Sequence, residues 1–260
     1  MNESQIVLVP GTFGRLAKTA CTVLESRGMR AEYLGSIDED DITCGYAYID
    51  NDVCVSTVAT VGQYIRFLRR KGSSGIAVLA PELCRDCRSV SLPFVLDVAL
   101  ARAGFDDIDV IPFTDADLHA CLAGDEPKTS QRVLAGPDMR IGLCGPLPVV
   151  MTHEFHRTVT ERLDSAGFQV VPVPPERIAG QRDAFTPAVE FFAEAGIRTA
   201  ICILPFGCMS GHAYARGQLR TLQQRFPQVE ITMLDYDPSA SDINLVNRTE
   251  LVMQTVRDRT

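Results

Sequence analysis

Several cysteines of this sequence are spaced as metal ligands or redox thiols are. Cys84 and Cys87 stand three positions apart in "PELCRDCRSV" (81–90), between the apolar run "GIAVLA" and the helix-like "LPFVLDVALARAG". Such a pair can form a redox disulfide or supply half of a metal site, and two thiols can also lie this close without a joint role. The spacing alone leaves these three interpretations open.

Two more cysteines stand just before predicted helices, Cys54 in "NDVCVSTVATVGQYI" and Cys208 in "PFGCMSGH" (205–212). At the start of a helix, the helix dipole and the unpaired N–H groups lower the pKa of a thiol and stabilise an anionic centre. Thiolates from separate segments suit an iron–sulfur cluster. Four of them could also close a tetrahedral zinc site, although the compact CxxC…CxxC pairing of a zinc ribbon is absent.

Other polar residues give weaker signals. His212 follows Cys208 closely and could be a proton donor, a ligand or a polar surface residue. The stretch "HEFHR" (153–157) is one residue short of the HExxH zinc motif, which favours a solvated helix start instead. "PGTFG" (10–14) lacks a third glycine and no GxxxxGK[ST] occurs, so neither a dinucleotide site nor a P-loop is supported.

The elements that must position these residues follow from a pattern that recurs four times, in which an amphipathic stretch ends at a glycine and a β-rich run follows. The copies are "LESRGMRAEYL", "LARAGFDDIDVIPF", "LDSAGFQVVPVPP" and "FAEAGIRTAICILPF". Glycine takes the left-handed conformation after a helix at little steric cost, so each copy predicts a helix end and then a strand. Repeated helix–strand units predict largely parallel sheets.

These anchors predict eight strands and seven helices. We expect strands near 5–9, 30–34, 75–80, 108–112, 140–144, 169–173, 199–204 and 229–234, and helices near 13–27, 54–70, 89–103, 153–166, 186–195, 210–225 and 242–257. The Gly- and Pro-containing stretch 123–138 has the composition of a linker. The sequence therefore predicts an α/β protein with two flavodoxin-like (Rossmann-like) three-layer domains, over 1–124 and 136–260. In such sheets ligands bind beyond the carboxyl ends of the strands, where the loops that carry most of these cysteines are expected.

Composition excludes several classes of function. The 260 residues are 46% hydrophobic, enough for a large core, and the formal net charge is -8. The only local concentration of basic residues is "RFLRRK" (66–71), so no nucleic-acid partner is expected. No apolar run long enough for a membrane span or leader occurs, and the cysteine count of nine is odd and spread through strands as well as loops. We therefore expect a cytoplasmic protein with reduced thiols and no membrane partner.

Four segments together resemble a known superfamily. They are "NDVCVSTVATVGQYIRFLRR", "CRSVSLPFVLDVALARAGFDDIDVIPF", "RIGLCGPLPVVMTHEFHRTVTERLDSAGFQVV" and "PFGCMSGHAYARGQLRTLQQRFPQVEITMLDYDPSASDINLVNR". In this order they resemble subunits of 2-hydroxyacyl-CoA dehydratase and benzoyl-CoA reductase, above all an uncharacterised branch associated with the acyl-CoA dehydratase activase. The resemblance covers about residues 45–255.

The resemblance implies a [4Fe-4S] cluster whose ligands come from separate loops. Cys54, Cys87 and Cys208 match its cysteine positions, Arg88 matches the basic residue after the second of them, and Cys84 is an additional candidate ligand. In that superfamily an ATP-hydrolysing activase injects a low-potential electron, and the reduced cluster passes it to an acyl-CoA thioester. The resemblance therefore implies an activase, or a larger dehydratase-like subunit, as partner, and an acyl-CoA thioester as a candidate substrate.

Three functions follow as expectations. The first is an enzyme subunit, a dehydratase-like lyase or a reductase, in which Arg88 and His212 lie near the substrate. The second is an accessory protein that carries the cluster and transfers electrons without binding substrate. The third is a zinc or thiol-binding domain that uses Cys54, Cys84, Cys87 and Cys208.

Overall fold

The computed structural model describes residues 5–50, 52–82, 91–124 and 139–259. The chain divides into two compact units, with the boundary between Glu126 and Pro127. Each unit has a four-stranded sheet in which every described strand pair is parallel, with helices between the strands. The predicted α/β fold with two flavodoxin-like domains is thus confirmed. The described helices include none that is long and apolar enough to cross a membrane.

Unit 1 follows the alternation of strands and helices that the sequence predicts. Its strands are β1 (Ile6–Val9), β2 (Arg30–Tyr33), β3 (Ile76–Pro81) and β4 (Asp109–Phe113), in the spatial order β2-β1-β3-β4. Its helices are α1 (Ala17–Ser26), α2 (Glu39–Tyr46), α3 (Val55–Lys71), α4 (Leu92–Arg102) and α5 (Asp115–Gly124), and a 3-10 helix (Gly11–Leu16) precedes α1.

The core of unit 1 lies between its central strands and helices α3 and α4. Leu8 of β1 and Val78 of β3 pack with apolar residues of both helices. Strand β3 is buried along nearly its whole length, which is why "IAVLAP" reads as a continuous apolar run and not as an alternating one. Helix α3 is buried on most of its surface and is the central helix of the unit.

Unit 2 repeats the arrangement. Its strands are β5 (Arg140–Cys144), β6 (Gln169–Pro172), β7 (Thr199–Pro205) and β8 (Glu230–Tyr236), in the order β6-β5-β7-β8. Its helices are α6 (Leu147–Met151), α7 (Arg157–Ser165), α8 (Pro175–Ile178), α9 (Phe185–Glu194), α10 (Met209–Gly211), α11 (Gly217–Arg225) and α12 (Ile243–Arg257). A 3-10 turn (His153–Phe155) precedes α7, and a π-helix (His212–Arg216) joins α10 to α11.

The glycine that ends each of the four repeated patterns has the backbone conformation predicted for it. Gly28, Gly104, Gly167 and Gly196 have φ of 78°, 87°, 84° and 68°. This left-handed region is open to glycine and strained for residues with a side chain. These four positions end α1, α4, α7 and α9, and each is followed by a strand.

All eight predicted strands are present, and each end lies within two residues of its predicted position. The helix predicted at 153–166 begins later, at Arg157, because Thr152 is extended (φ −106°, ψ 103°) and a 3-10 turn follows it. Helices α2, α5, α6 and α8 were not predicted. Most of the predicted linker, 125–138, lies outside the described residues.

Candidate functional site

Cys54 stands at the first turn of α3, as predicted. It is the N-cap residue of the helix, and its side chain is buried, with 8% of the residue exposed. Its carbonyl oxygen accepts the N–H of Thr57 at 2.8 Å, and its Sγ lies 3.3 Å from the hydroxyl of Ser56. The thiol is therefore placed where the helix dipole and a neighbouring hydroxyl favour negative charge on sulfur.

Buried polar contacts hold α3 against the loops that follow β1 and β2. The side-chain oxygen of Gln63 accepts the N–H of Gly11 at 2.7 Å, and its side-chain nitrogen donates to the carbonyl oxygens of Gly35 and Ser36. One glutamine thus satisfies backbone groups of two separate loops at the carboxyl ends of neighbouring strands. Leaving such groups without partners would cost about 1–3 kcal/mol each.

Tyr64, the next residue of α3, ties the helix to the sheet itself. Its ring is fully buried, and its hydroxyl lies 2.6 Å from the carbonyl oxygen of Leu79 and 3.1 Å from that of Leu8. Cys54 is ten residues before Tyr64, about 15 Å along a helix. Since α3 ends near the start of β3, its N-terminus and Cys54 lie towards the carboxyl ends of the strands, where ligands of open parallel sheets bind.

Helix α2 fixes the other side of α3 through two glycines. A Cβ atom on Gly62 would lie 1.8 Å from the carbonyl oxygen of Asp41, and one on Gly45 would lie 2.1 Å from that of Val58. The backbones of the two helices therefore approach too closely for any side chain at either position. This contact leaves α3 little freedom to shift.

Cys208 has the corresponding local position in unit 2. It follows β7 after a turn in which Gly207 has φ of 73°, and it is the N-cap residue of α10. Its Sγ accepts the N–H of Gly211 at 3.3 Å and lies 3.7 Å from the hydroxyl of Ser210. Only 2% of the residue is exposed. A backbone N–H thus points directly at this sulfur.

His212 lies one turn further along, within the π-helix. Helical dihedrals continue from α10 through the π-helix into α11. Within this run Arg216 donates from its Nε to the His212 Nδ1 at 3.3 Å and binds both carboxylate oxygens of Asp235 at 2.5 and 2.6 Å. Since Nδ1 accepts a hydrogen bond, a neutral His212 carries its proton on Nε2. Single π-turns in helices occur often at functional sites.

Cys84, Cys87 and Arg88 lie outside the described residues. The segment that contains them follows the carboxyl end of β3, where the N–H of Glu82 still donates to the carbonyl oxygen of Phe113 at 2.9 Å. Their predicted place in the chain is thus between β3 and α4. Their roles remain predictions.

Within the described ranges, no three His, Cys, Asp or Glu side chains come together as a metal site. Cys54 belongs to unit 1 and Cys208 to unit 2, so these two thiols belong to separate compact bodies. Each fits a cluster ligand in its own surroundings, since each is a buried thiol at a helix start with a hydroxyl nearby.

Two features were missed by the reasoning from sequence. Cys144 and Cys202 are register partners on neighbouring strands, and their sulfur atoms are 2.7 Å apart. Cys144 is the fifth residue of predicted strand 140–144 and Cys202 the fourth of predicted strand 199–204, so alignment of the two strands by their starts would have missed the pair by one residue. His156 is half-buried, and its burial together with the charge of His153 lowers its pKa to about 4. His153 and Arg157 of the predicted solvated helix start are exposed, whereas His156 is only partly so.

Comparison with known proteins adds no assignment. No family model matches the chain, and no curated protein matches it. The resemblance to dehydratase subunits therefore rests on the sequence segments that suggested it.

Proposed function

We propose that the protein binds a [4Fe-4S] cluster through Cys54, Cys87 and Cys208 and receives low-potential electrons from an ATP-hydrolysing activase. The proposal makes it a relative of the 2-hydroxyacyl-CoA dehydratase and benzoyl-CoA reductase subunits that its sequence resembles. Thiolate ligands persist in a reducing compartment, so the proposal places the protein in the cytoplasm.

One observation carries this proposal. Cys54 and Cys208 are N-cap residues of helices in different units, and each is followed two positions later by a serine whose hydroxyl lies near the sulfur, Ser56 at 3.3 Å and Ser210 at 3.7 Å. Buried free cysteines are common in protein cores, but a core cysteine has no need of a helix start or a hydroxyl. The repeated Cys-x-Ser cap supports a shared role as sulfur ligands.

The surroundings of the two thiols suit that role electrostatically. Hydrogen bonds to ligand sulfur and burial are the means by which proteins set the potential of iron–sulfur centres. Cys208 already accepts the N–H of Gly211, and both sulfurs have a hydroxyl in reach. When bound, the cluster would supply one-electron chemistry at a potential that these contacts adjust.

His212 and Arg88 are the proposed residues for substrate. Arg216, itself held by Asp235, orients the His212 imidazole so that its Nε2 carries the proton of the neutral form. Such an imidazole could donate a hydrogen bond from Nε2 to the oxygen of a leaving group. Arg88 would supply positive charge next to the ligand Cys87. With Cys84 as a fourth ligand, every iron of the cluster would be saturated, as suits an electron carrier. Without it, one iron would be open to substrate, as suits a catalytic site.

The test is anaerobic purification, followed by measurement of iron, sulfide, zinc and visible absorption. We expect iron and sulfide in equal amounts and a broad band near about 400 nm, which is typical of iron–sulfur proteins. Serine variants of Cys54, Cys87 and Cys208 should each lose most of the iron. Cys21→Ser is the matched control because Cys21 is a half-buried cysteine of α1 outside the proposed ligand set, and it should retain full iron.

Two outcomes would overturn the proposal. Absence of iron after reconstitution would remove the cluster, and stoichiometric zinc in its place would favour the thiol-binding domain. Full iron in the Cys208→Ser protein would remove unit 2 from the ligand set. If iron is present, electron paramagnetic resonance with and without added acyl-CoA esters distinguishes the enzyme subunit from the accessory protein. A changed spectrum indicates an iron that is open to substrate. An unchanged spectrum indicates an electron carrier.

A further inference from the structure

A second pair of cysteines, not used by the proposed cluster, lies inside unit 2. Cys144 is the last residue of β5, Cys202 is in the middle of β7, and the two are register partners. Their sulfur atoms are 2.7 Å apart, closer than unbonded carbon atoms approach, about 3.5 Å. Neither residue is more than 1% exposed.

The backbone geometry of this pair suits a covalent bond. Neighbouring strands lie about 4.8 Å apart, and disulfides join Cα atoms that are about 4.4–6.8 Å apart. Register partners on parallel strands point to the same face of the sheet. That face is covered by α9, because a Cβ on Gly142, two residues before Cys144, would meet the Phe192 ring at 2.8 Å.

The surroundings of Cys144 favour its protonated form. The contact with Cys202 and, next, burial raise the pKa of Cys144 well above its ordinary value. A neutral Cys144 thiol packed under an apolar helix is a poor ligand for metal cations, which bind thiolates. Oxidation to a disulfide, by contrast, leaves the pair neutral and makes no new charge in the core.

We propose that Cys144 and Cys202 are joined by a reversible disulfide when hydrogen peroxide oxidises the protein. One sulfur attacks a peroxide oxygen, the O–O bond breaks, and a sulfenic acid and one water form. The second sulfur attacks the sulfenic sulfur, the S–S bond forms, and the hydroxide that leaves takes the remaining thiol proton as a second water. Two electrons pass from the two thiols to the peroxide, and a dithiol reductant reverses the bond by exchange.

The disulfide would lie beneath the loop that carries Cys208. Cys144 is followed by Gly145 and Pro146, and a Cβ on Gly211 would lie 3.4 Å from Pro146 and 3.0 Å from the Cys208 sulfur. The loops after β5 and β7 are thus in contact at the position of Cys208. A bond between the two strands would restrict the relative movement of these loops, independently of whether Cys208 binds iron.

The test is mass spectrometry of the peroxide-treated protein after thiol blocking and trypsin digestion. Cys144 is the only cysteine of tryptic peptide 141–157, whereas peptide 199–216 contains both Cys202 and Cys208. We expect a cross-link between these two peptides, two hydrogen atoms lighter than the sum of the free peptides, that disappears on treatment with a dithiol. Fragmentation of the cross-linked pair should place the bond on Cys202.

Two variants separate the possible partners. The cross-link should persist in Cys208→Ser and vanish in Cys202→Ala. Because both thiols are buried, the reaction requires local opening, and the cross-link should form more slowly than oxidation of the half-buried Cys21. Recovery of Cys144 and Cys202 as blocked thiols after prolonged peroxide treatment would overturn the proposal, as would fragment ions that place the bond on Cys208.

Discussion

Two helices of this protein begin at a candidate ligand cysteine, but the rest of each helix is held in a different way. Helix α3 of unit 1 is unbroken and mostly buried, and Gln63 and Tyr64 bind it to the backbone of the sheet and of two loops. The helical run from α10 to α11 in unit 2 contains a π-helix, is largely exposed, and binds the strand end at Asp235 through a surface arginine.

The two helix starts share a local sequence motif, but the contacts that hold each helix in place are different. The Cys-x-Ser sequence stands at the N-cap in both units, but only the Cys208 sulfur accepts a backbone N–H there. The rigidity of each helix start depends on distant residues. We expect Cys54 to be held firmly by the core of unit 1 and Cys208 to move more readily, as local stability follows buried contacts.

The largest effect should come from the glycine that allows α2 to approach α3. Gly62→Ala would place a methyl group 1.8 Å from a backbone carbonyl oxygen of α2, which cannot rotate away. We expect a loss of about 4 kcal/mol or more in the free energy of unfolding of unit 1. The chain contains no tryptophan, so Tyr33→Trp in unit 1 and Phe206→Trp in unit 2 provide separate fluorescence reporters for urea unfolding.

The matched control is Gly217→Ala, at the start of α11. A Cβ there meets no atom within 4 Å, and alanine is the better helix former by up to about 1 kcal/mol. We expect this variant to be neutral or slightly stabilising. Equal destabilisation by both substitutions would show that the close helix contact in unit 1 is not what distinguishes the two helices.

The next effect is a difference in acid stability between the units. Burial, with the charge of His153, lowers the pKa of His156 to about 4, from about 6.5 for an unperturbed histidine. Because the folded pKa is the lower one, the stability contributed by neutral His156 is complete above pH 6.5 and is lost as the pH falls to 4. The loss by pH 4 amounts to about 3 kcal/mol.

The same two tryptophan reporters can measure this difference. The unit 2 reporter should lose stability between pH 6.5 and 4, and His156→Phe should flatten that dependence. Unit 1 contains a single histidine, the exposed His119, and His119→Asn serves as the control. A wild-type unit 2 whose urea midpoint is constant across this range would contradict the burial of His156 in its neutral form.

The smallest effect should come from the surface contact that holds the π-helix. Arg216 and Asp235 are both about half exposed, at 46% and 52%, so solvent screens their attraction. Asp235→Asn should therefore change the unfolding free energy of unit 2 by less than about 1 kcal/mol, with a smaller effect at high salt. A loss several times larger, measured with the Phe206→Trp reporter, would show that this helix is as strongly supported as α3.

Two of the helices that were not predicted carry a readable start signal. Asp38 and Asp41 form a reciprocal capping box at α2, and the Thr114 N–H and hydroxyl both bind Asp117 at the start of α5. In both cases a capping residue is followed three positions later by an acidic one. The short helices α6 and α8 have no capping box. Each is only four or five residues long and has a proline in its first turn.

The candidate site was predictable only in part. The sequence placed Cys54 and Cys208 at helix starts correctly, because N-caps are local. The two serines beside them were present in the printed sequence, but their distance from sulfur depends on the helix geometry. The partial burial of His156 could not be read from "HEFHR", because the chain enters a 3-10 turn before α7 begins.

The amino-acid sequence by itself determined the alternation of helices and strands, since each glycine-ended helix and apolar strand follows from residues that are neighbours in the chain. Only the tertiary structure decided which distant residues touch. The facing sulfurs of Cys144 and Cys202 are 58 residues apart, and Gln63 binds Gly11 across 52 residues. Such contacts depend on strand order and on the packing of whole helices, which no local pattern specifies.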